Sequence, residues 1–221
     1  QKQFVSNVTH ELRTPLTAIK GYSEILADEI GDRPDLKKAV FHLNNEADRL
    51  AKLVDEVLTL SRIETGREEF HFDRLNLSYL IKDTTEKMQL RAEKYEIKII
   101  SDITPDVYVR GDKEKLVQVI VNLLDNAFKY SPPRSTVRVS LYREAVEAVL
   151  MIVDQGFGIP EKDRSKVFDR FYRAENARGI PGTGLGLSIV KYIVEAHKGS
   201  IKLTEGIEGG TTAILRLPME D

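Results

Sequence analysis

His10 is followed directly by Glu11, and Thr14 stands one helical turn further on. An imidazole can act as nucleophile or base near neutral pH, and an adjacent carboxylate can orient the ring or take its proton. Far along the chain, Asn122 and Asn126 are four residues apart, with Lys129 and Tyr130 just beyond them. Amide oxygens on one helical face suit Mg2+ when phosphates bring most of the charge. A lysine there neutralises phosphate, and a tyrosine stacks or hydrogen-bonds. Asp154-Gln155-Gly156-Phe157-Gly158-Ile159-Pro160 follows an apolar run. It leaves one carboxylate at a strand end, beside glycines that let backbone approach a flat ligand. Phe168-Asp169-Arg170-Phe171-Tyr172-Arg173 combines aromatic rings with cations. Gly182-Thr183-Gly184-Leu185-Gly186-Leu187 puts glycine-rich backbone at the head of a helix, where free N–H groups and the helix dipole attract phosphate. No Gly-Lys-Ser/Thr follows, so this is not a Walker A loop, and it does not continue a βαβ unit as a dinucleotide fingerprint would. Each feature has a bland counterpart: a solvated histidine, surface asparagines, a strand-end turn, phenylalanines packing on a sheet.

The elements that must position these groups fall into two regions. Val5, Val8, Leu12, Ile19 and Leu26 recur at spacings of three, four and seven, which predicts a helix over residues 1 to about 28 with His10 far round from the apolar stripe. Pro15 cannot donate to the Glu11 carbonyl, so a bend is expected there. The polar stretch 28–34, with Gly31 and Pro34, reads as a turn. A second helix is expected from about Asp35 to Thr65. Leu36, Leu43, Leu50 and Val57 repeat every seven residues, Val40, Ala47, Val54 and Ser61 fill the intermediate seam, and Gly66 closes it. Leu53 and Leu60 widen the seam beyond what one partner buries, so the hairpin is expected to dimerise into a four-helix bundle.

Past Gly66 the pattern predicts a strand at Phe70 and Phe72, a helix over 77–94, strands at 97–100 and 107–109, and a helix over 113–130. A β-hairpin follows (136–142 and 148–153, turning at 143–146), then a helix over 183–197 and strands at 200–203 and 211–217. Strands and helices mix without βαβ alternation, which predicts an α+β sandwich, one sheet with helices on one face. The expected domains are 1–66 and 67–221.

With 33 basic and 35 acidic side chains and a net charge of −2, nothing draws the chain to nucleic acid or anionic lipid. The absence of cysteine excludes disulfides, thiolate metal sites and a cysteine nucleophile. No apolar run approaches the ~20 residues that span a bilayer, and no signal peptide opens the chain. A start in mid-helix suggests an excised fragment whose parent carries membrane spans upstream.

His10 to Thr17 resembles the H-box of sensor histidine kinases, whose histidine accepts the γ-phosphoryl group of ATP. Asn122 to Tyr130 resembles the family's N-box, Asp154 to Pro160 its G1-box, Phe168 to Arg173 its F-box, and Gly182 to Leu187 its G2-box. Gly209-Gly210-Thr211-Thr212 is similar to the last block of the family's fold, with Ala213 where many members carry an aromatic. The five boxes stand in the family's order and cover the whole chain. The resemblance implies a dimeric phosphotransfer hairpin followed by the GHKL (Bergerat) ATPase sandwich, shared with DNA gyrase, mismatch-repair ATPases and heat-shock chaperones. It implies ATP and Mg2+ as cofactors, with Asn122 and Asn126 as metal ligands and Asp154 accepting the adenine N6 amino group. The ATP site would also use Lys129, Tyr130, Gly156, Gly158, Ile159, Phe171, Arg173, Gly182, Thr183, Gly184, Leu185 and Gly186, with Arg173 reaching the γ-phosphate. His10 would attack through Nε2 with help from Glu11, and Glu11 and Thr14 match a Glu-x-x-Thr phosphatase pattern. The implied partners are a second copy and the receiver domain of a response regulator, and the implied location is the cytoplasmic portion of a membrane-bound sensor. Glutamate is absent from Asn122 to Tyr130, which argues for transfer over hydrolysis by water. The competing class is a module that keeps the ATP-binding fold without transfer.

Overall fold

The computed structural model describes residues 16–26, 33–177, 179–180, 182–206 and 209–220, so the readings for Val5, Val8, His10, Glu11, Leu12, Thr14 and Pro15 lie outside the described residues. The chain divides into two compact units, Gln1–Glu69 and Phe70–Asp221.

In the first unit, residues 16–26 form α1 and Pro34–Glu64 form α2. Pro34 opens α2 where a missing N–H costs nothing, and Gly66 leaves it at φ 63°, its N–H on the Ile63 carbonyl. Lys20 Nζ meets Asp48 Oδ1 at 2.5 Å and Ser23 Oγ bonds Asn44 Oδ1, so the helices run antiparallel. The heptad pattern divides into two columns. Val40, Ala47 and Val54 are buried, whereas Leu36, Leu43 and Leu50 are 37%, 47% and 47% exposed. On α1 the buried line is Leu16 and Ser23, not the expected Ile19 and Leu26, which are 47% and 50% exposed. One hairpin covers one seam, and the other apolar column is left without cover in the single chain.

The second unit is built on a five-stranded sheet in the order β2 (Lys98–Ile103), β4 (Thr136–Glu144), β5 (Glu147–Val153), β7 (Thr211–Pro218), β6 (Ser200–Glu205). Only β2 and β4 are parallel. Val137, Val139 and Leu141 of β4 are buried, while Arg138 and Arg143 are exposed. Such alternation marks a sheet covered on one face. The cover is α3 (Leu77–Lys87) on β2, α5 (Lys113–Lys129) on β5 and α6 (Gly186–Ala196) on β6, with α5 touching both other helices. Leu116, Val119, Ile120, Leu123, Leu124 and Ala127, the expected inward set of α5, are all buried, as is Phe128. Asp112 caps α5, its Oδ1 accepting from the Lys115 N–H at 3.1 Å.

Several boundaries differ from expectation. Residues 70–72 are not a strand; the first strand, β1 (Asp73–Asn76), pairs antiparallel with β3 (Tyr108–Gly111). The helix expected over 77–94 is interrupted at Met88, after which α4 (Gln89–Lys94) begins. The β4–β5 turn shrinks to Ala145 and Val146, because cross-strand pairing continues to Glu144 and Glu147. α6 starts at Gly186, three residues later than expected, so Gly182 and Gly184 belong to the loop before it. Three 3-10 turns, Glu161–Asp163, Lys166–Phe168 and Glu175–Ala177, lie in the crossing from β5 to α6. Among the described residues no helix is long and apolar enough to cross a membrane.

Candidate active site

Asp154 stands just past the end of β5, and its N–H continues the ladder by donating to the Thr211 carbonyl at 2.9 Å. Its carboxylate is 7% exposed, and Oδ1 accepts from the N–H groups of Gly156 and Thr211, each at 2.9 Å. Burial pushes the carboxyl above the usual range, and the two backbone donors oppose that shift. Oδ2 has no partner among the described residues, so it is available to a ligand donor. Gly156 is pressed against the end of α5: a Cβ there would lie 2.4 Å from the Tyr130 carbonyl oxygen. No other residue fits without moving the N-box from the carboxylate.

The end of α5 and the loop before α6 meet at the same place. A Cβ on Gly182 would lie 2.9 Å from Lys129 Nζ, 3.7 Å from the Tyr130 hydroxyl and 4.0 Å from Arg173 Nε. One on Gly186 would lie 3.1 Å from Asn122 Oδ1. Gly184, at φ 75°, packs on the backbone of Phe171. The loop that heads α6 therefore runs between the N-box face and the F-box. Lys129, Tyr130, Gly156, Phe157 and Ile180 line a cavity of about 360 Å³, a size that suits a small organic ligand. The Tyr130 and Phe157 rings meet edge to face at 5.7 Å, and burial raises the Tyr130 phenol against the nearby Arg173 charge.

Other expected site residues have different surroundings. Arg173 Nη2 donates to the carbonyls of Ala177 and Ile180, so the guanidinium is engaged by the loop that follows it. Phe171 is 65% exposed, whereas Phe168 is half-buried with Lys191 Nζ of α6 at 6.0 Å from its centroid, and Val167 and Ala174 are buried. Leu185 is fully buried and its N–H points to Thr183 Oγ1 at 3.3 Å, which makes it a core residue more than a ligand contact. The Ile159 carbonyl accepts from Arg164 Nε at 3.1 Å, and Asn176 Nδ2 donates to the Gly158 carbonyl at 3.1 Å. Asn122 and Asn126 are half-buried on α5, and among the described residues no group of three or more His, Cys, Asp or Glu forms a metal cluster. An Mg2+ ion at this face would depend on phosphate oxygens, with the two amides as supplementary ligands, and the donor set fits that role. Asp125 is 8% exposed and held by Arg91 of α4 at 2.5 Å. Thr211 and Asp112 went unassigned in the sequence; the Gly-Gly-Thr block marks the first, and a capping Asp ahead of an apolar helix marks the second.

Residues 111–221 match the family described as histidine kinase-, DNA gyrase B-, and HSP90-like ATPase. That is the class the sheet, the buried aspartate and the loop at α6 define. Residues 1–66 match the His Kinase A (phospho-acceptor) domain. The chain is 37% identical to the sensor histidine kinase WalK of Bacillus subtilis, over 100% of its own length and 37% of the relative's. It is 34% identical to the sensor protein SrrB of Staphylococcus aureus, over 99% of its length and 38% of that protein's. The chain thus spans little more than a third of the curated relatives it matches. A solved mycobacterial sensor histidine kinase, MprB, is 35% identical with a TM-score of 0.61, over 68% of this chain and 99% of that one. Full-length ShkA in complex with AMPPNP shares the fold, with a TM-score of 0.80 at 23% identity over 99% of this chain and 46% of that one. The chain belongs to the histidine kinase family and carries its phospho-acceptor and ATPase-type domains.

Proposed function

We propose that the chain is the core of a two-component sensor kinase that phosphorylates itself on His10 with ATP and passes the phosphoryl group to a response-regulator aspartate. Residues 1–66 are the dimerisation and phosphotransfer domain and 67–221 the catalytic domain. The observation that carries this reading is that the end of α5 is met at Tyr130 by Gly156 of the G1-box and at Asn122 and Lys129 by the loop before α6, which also packs on Phe171 of the F-box, in a chain that also matches a phospho-acceptor domain.

In this reading Asp154 Oδ2 accepts from the adenine amino group while Oδ1 stays with Gly156 and Thr211. Lys129, the N–H groups of the Gly182–Gly186 loop and Arg173 neutralise the triphosphate, and Asn122 and Asn126 would hold Mg2+. When bound, the metal would supply charge neutralisation to the phosphates. His10 Nε2 forms the N–P bond as the bond from the γ-phosphorus to the β,γ-bridging oxygen breaks and ADP leaves. Glu11 takes or holds the proton on the other ring nitrogen. The ion pair of Asp125 with Arg91 supports transfer over hydrolysis, because it engages the one N-box carboxylate that could activate water. Glu11 and Thr14 serve the reverse duty of regulator dephosphorylation. The apolar column left exposed on α1 and α2 supports a homodimer closing a four-helix bundle. The sensing part of the parent protein, with its membrane anchor, lies in the length that this chain does not cover. Incubation with γ-labelled ATP and Mg2+ tests the proposal: label enters the chain and is lost in acid. Tight ATP binding with no label would leave only a nucleotide-binding scaffold.

Arg173 Nη2 donates to the Ala177 and Ile180 carbonyls, so a phosphate that draws this cation pulls on the segment from Phe157 to Gly182. Its amides are expected to exchange more slowly with an ATP analogue and Mg2+ than without. Equal protection in both states would remove the lid from the mechanism.

Partner choice is assigned to the face of α1 beyond Thr14. Ala18 is exposed, Tyr22 and Ile25 are 70% and 55% exposed, and a Cβ on Gly21 would meet nothing within 4 Å. Replacing Ala18 and Tyr22 together with glutamate is expected to slow transfer to the cognate regulator by about tenfold or more, a loss of roughly 1.4 kcal/mol, with His10 phosphorylation near normal. A time course of label leaving the kinase checks this. A parallel fall in both rates would assign the face to the bundle core.

A further inference from the structure

The segment that leaves the hairpin enters the second unit through an aromatic cluster that no step above uses. The Phe70 and Phe72 rings stack at 5.6 Å, and both meet the His197 ring edge-on, at 5.8 and 4.9 Å. Phe70 also reaches Tyr192 of α6 at 5.9 Å, and Lys115 Nζ of α5 stands 6.0 Å from its centroid. His197 is 4% exposed and both its ring nitrogens are committed: Nδ1 donates to the Ile193 carbonyl of α6 at 2.7 Å, and Nε2 accepts the Asp112 N–H at 2.9 Å. Asp112 caps α5 through Oδ1 and accepts the His71 N–H on Oδ2 at 2.9 Å. One imidazole therefore joins the end of α6 to the start of α5, and residues 70–72 are fastened to that joint by two rings and a backbone hydrogen bond. The far ends of the same helices carry Asn122, Asn126 and the loop from Gly182 to Gly186. The base side of the site, Asp154 and Thr211, stands on β5 and β7.

We propose that His197 is a positioning residue for phosphoryl transfer: with Phe70 and Phe72 it is the anchor through which the segment leaving the hairpin sets the placement of α5 and α6. Helices are stiff along their length, so a small displacement of the anchor reappears at the phosphate end. The inference rests on the kinase reading above.

The test uses the full chain, with Phe72→Ala and His197→Gln measured singly and together. Phe72 is 36% exposed, so its truncation leaves a folded protein even if the buried histidine does not tolerate change. Three readouts are taken: the rate of His10 labelling at saturating ATP, affinity for ADP, and the thermal midpoint. The expected result is a labelling rate changed by about tenfold to a hundredfold, with ADP affinity close to wild type and Phe72→Leu restoring most of the rate. The two substitutions combine non-additively. A labelling rate unchanged in Phe72→Ala, or rate, affinity and thermal midpoint falling in step, would overturn the inference and leave the cluster as ordinary packing. Wild type that binds ATP and takes no label would instead overturn the kinase reading itself.

Discussion

In His10→Ala no phosphoprotein forms, while ATP binds as it does to the wild type. The expectation follows from the division of labour along the chain. His10, the proposed acceptor, lies within the phospho-acceptor match at residues 1–66, and the groups proposed for nucleotide all come from residues 122–186, with Thr211 holding Asp154. Removing the imidazole deletes the nucleophile and touches none of the groups assigned to nucleotide. The loss of label is expected to be complete, because the N–P bond is formed by the deleted imidazole nitrogen. Calorimetry with ATP supplies the control. Label persisting on the variant would mean that another residue is the acceptor.

The second large effect is at Asp154. Asp154→Asn is expected to weaken ATP by about 1–3 kcal/mol, because an amide nitrogen facing the adenine amino group sets donor against donor. Discrimination against guanine nucleotides falls with it. The same substitution is expected to leave the free protein at least as stable as wild type at neutral pH. Asparagine Oδ1 can still accept from Gly156 and Thr211, and a buried charge is removed. The sign follows from the direction of the shift. A carboxyl raised in the folded state favours its protonated form there, so its contribution to stability is greatest below the unfolded value and is lost as pH rises through the folded one. Wild-type ATP affinity moves the opposite way, falling as acid protonates Oδ2. Denaturant titrations of both proteins, with calorimetry at two pH values, read all three effects. Unchanged affinity in Asp154→Asn would remove the residue from the base site.

Features that depend on near neighbours were legible in the sequence. The inward face of α5 and the cap at Gly66 follow from spacing alone, and both are found where expected. Features that depend on distant partners were not. Phe70 and Phe72 alternate like a strand, yet their side chains are claimed by His197, whose ring in turn bonds a backbone N–H 85 residues earlier. The break at Met88 carries neither Gly nor Pro as a warning, and α4 beyond it is tied to α5 by the Arg91–Asp125 pair. Leu36, Leu43 and Leu50 read as core because heptads count partners that a single chain does not contain. At the candidate site, residue types and order were readable and the contacts were not. Arg173 is a free cation in the sequence and a donor to two carbonyls in the fold. Leu185 looks like part of a phosphate loop and proves to be core.

The central claim, that this chain moves the γ-phosphoryl group of ATP to one histidine, is tested most directly by mapping the phosphorylated residue. The full chain is incubated with ATP and Mg2+, digested at neutral to alkaline pH, and sequenced by tandem mass spectrometry. The account predicts a single modified peptide carrying phosphate on His10, stable in alkali and lost in acid. Phosphate on a serine, threonine or another histidine, or an ATP-bound chain with no modified peptide at all, would contradict it.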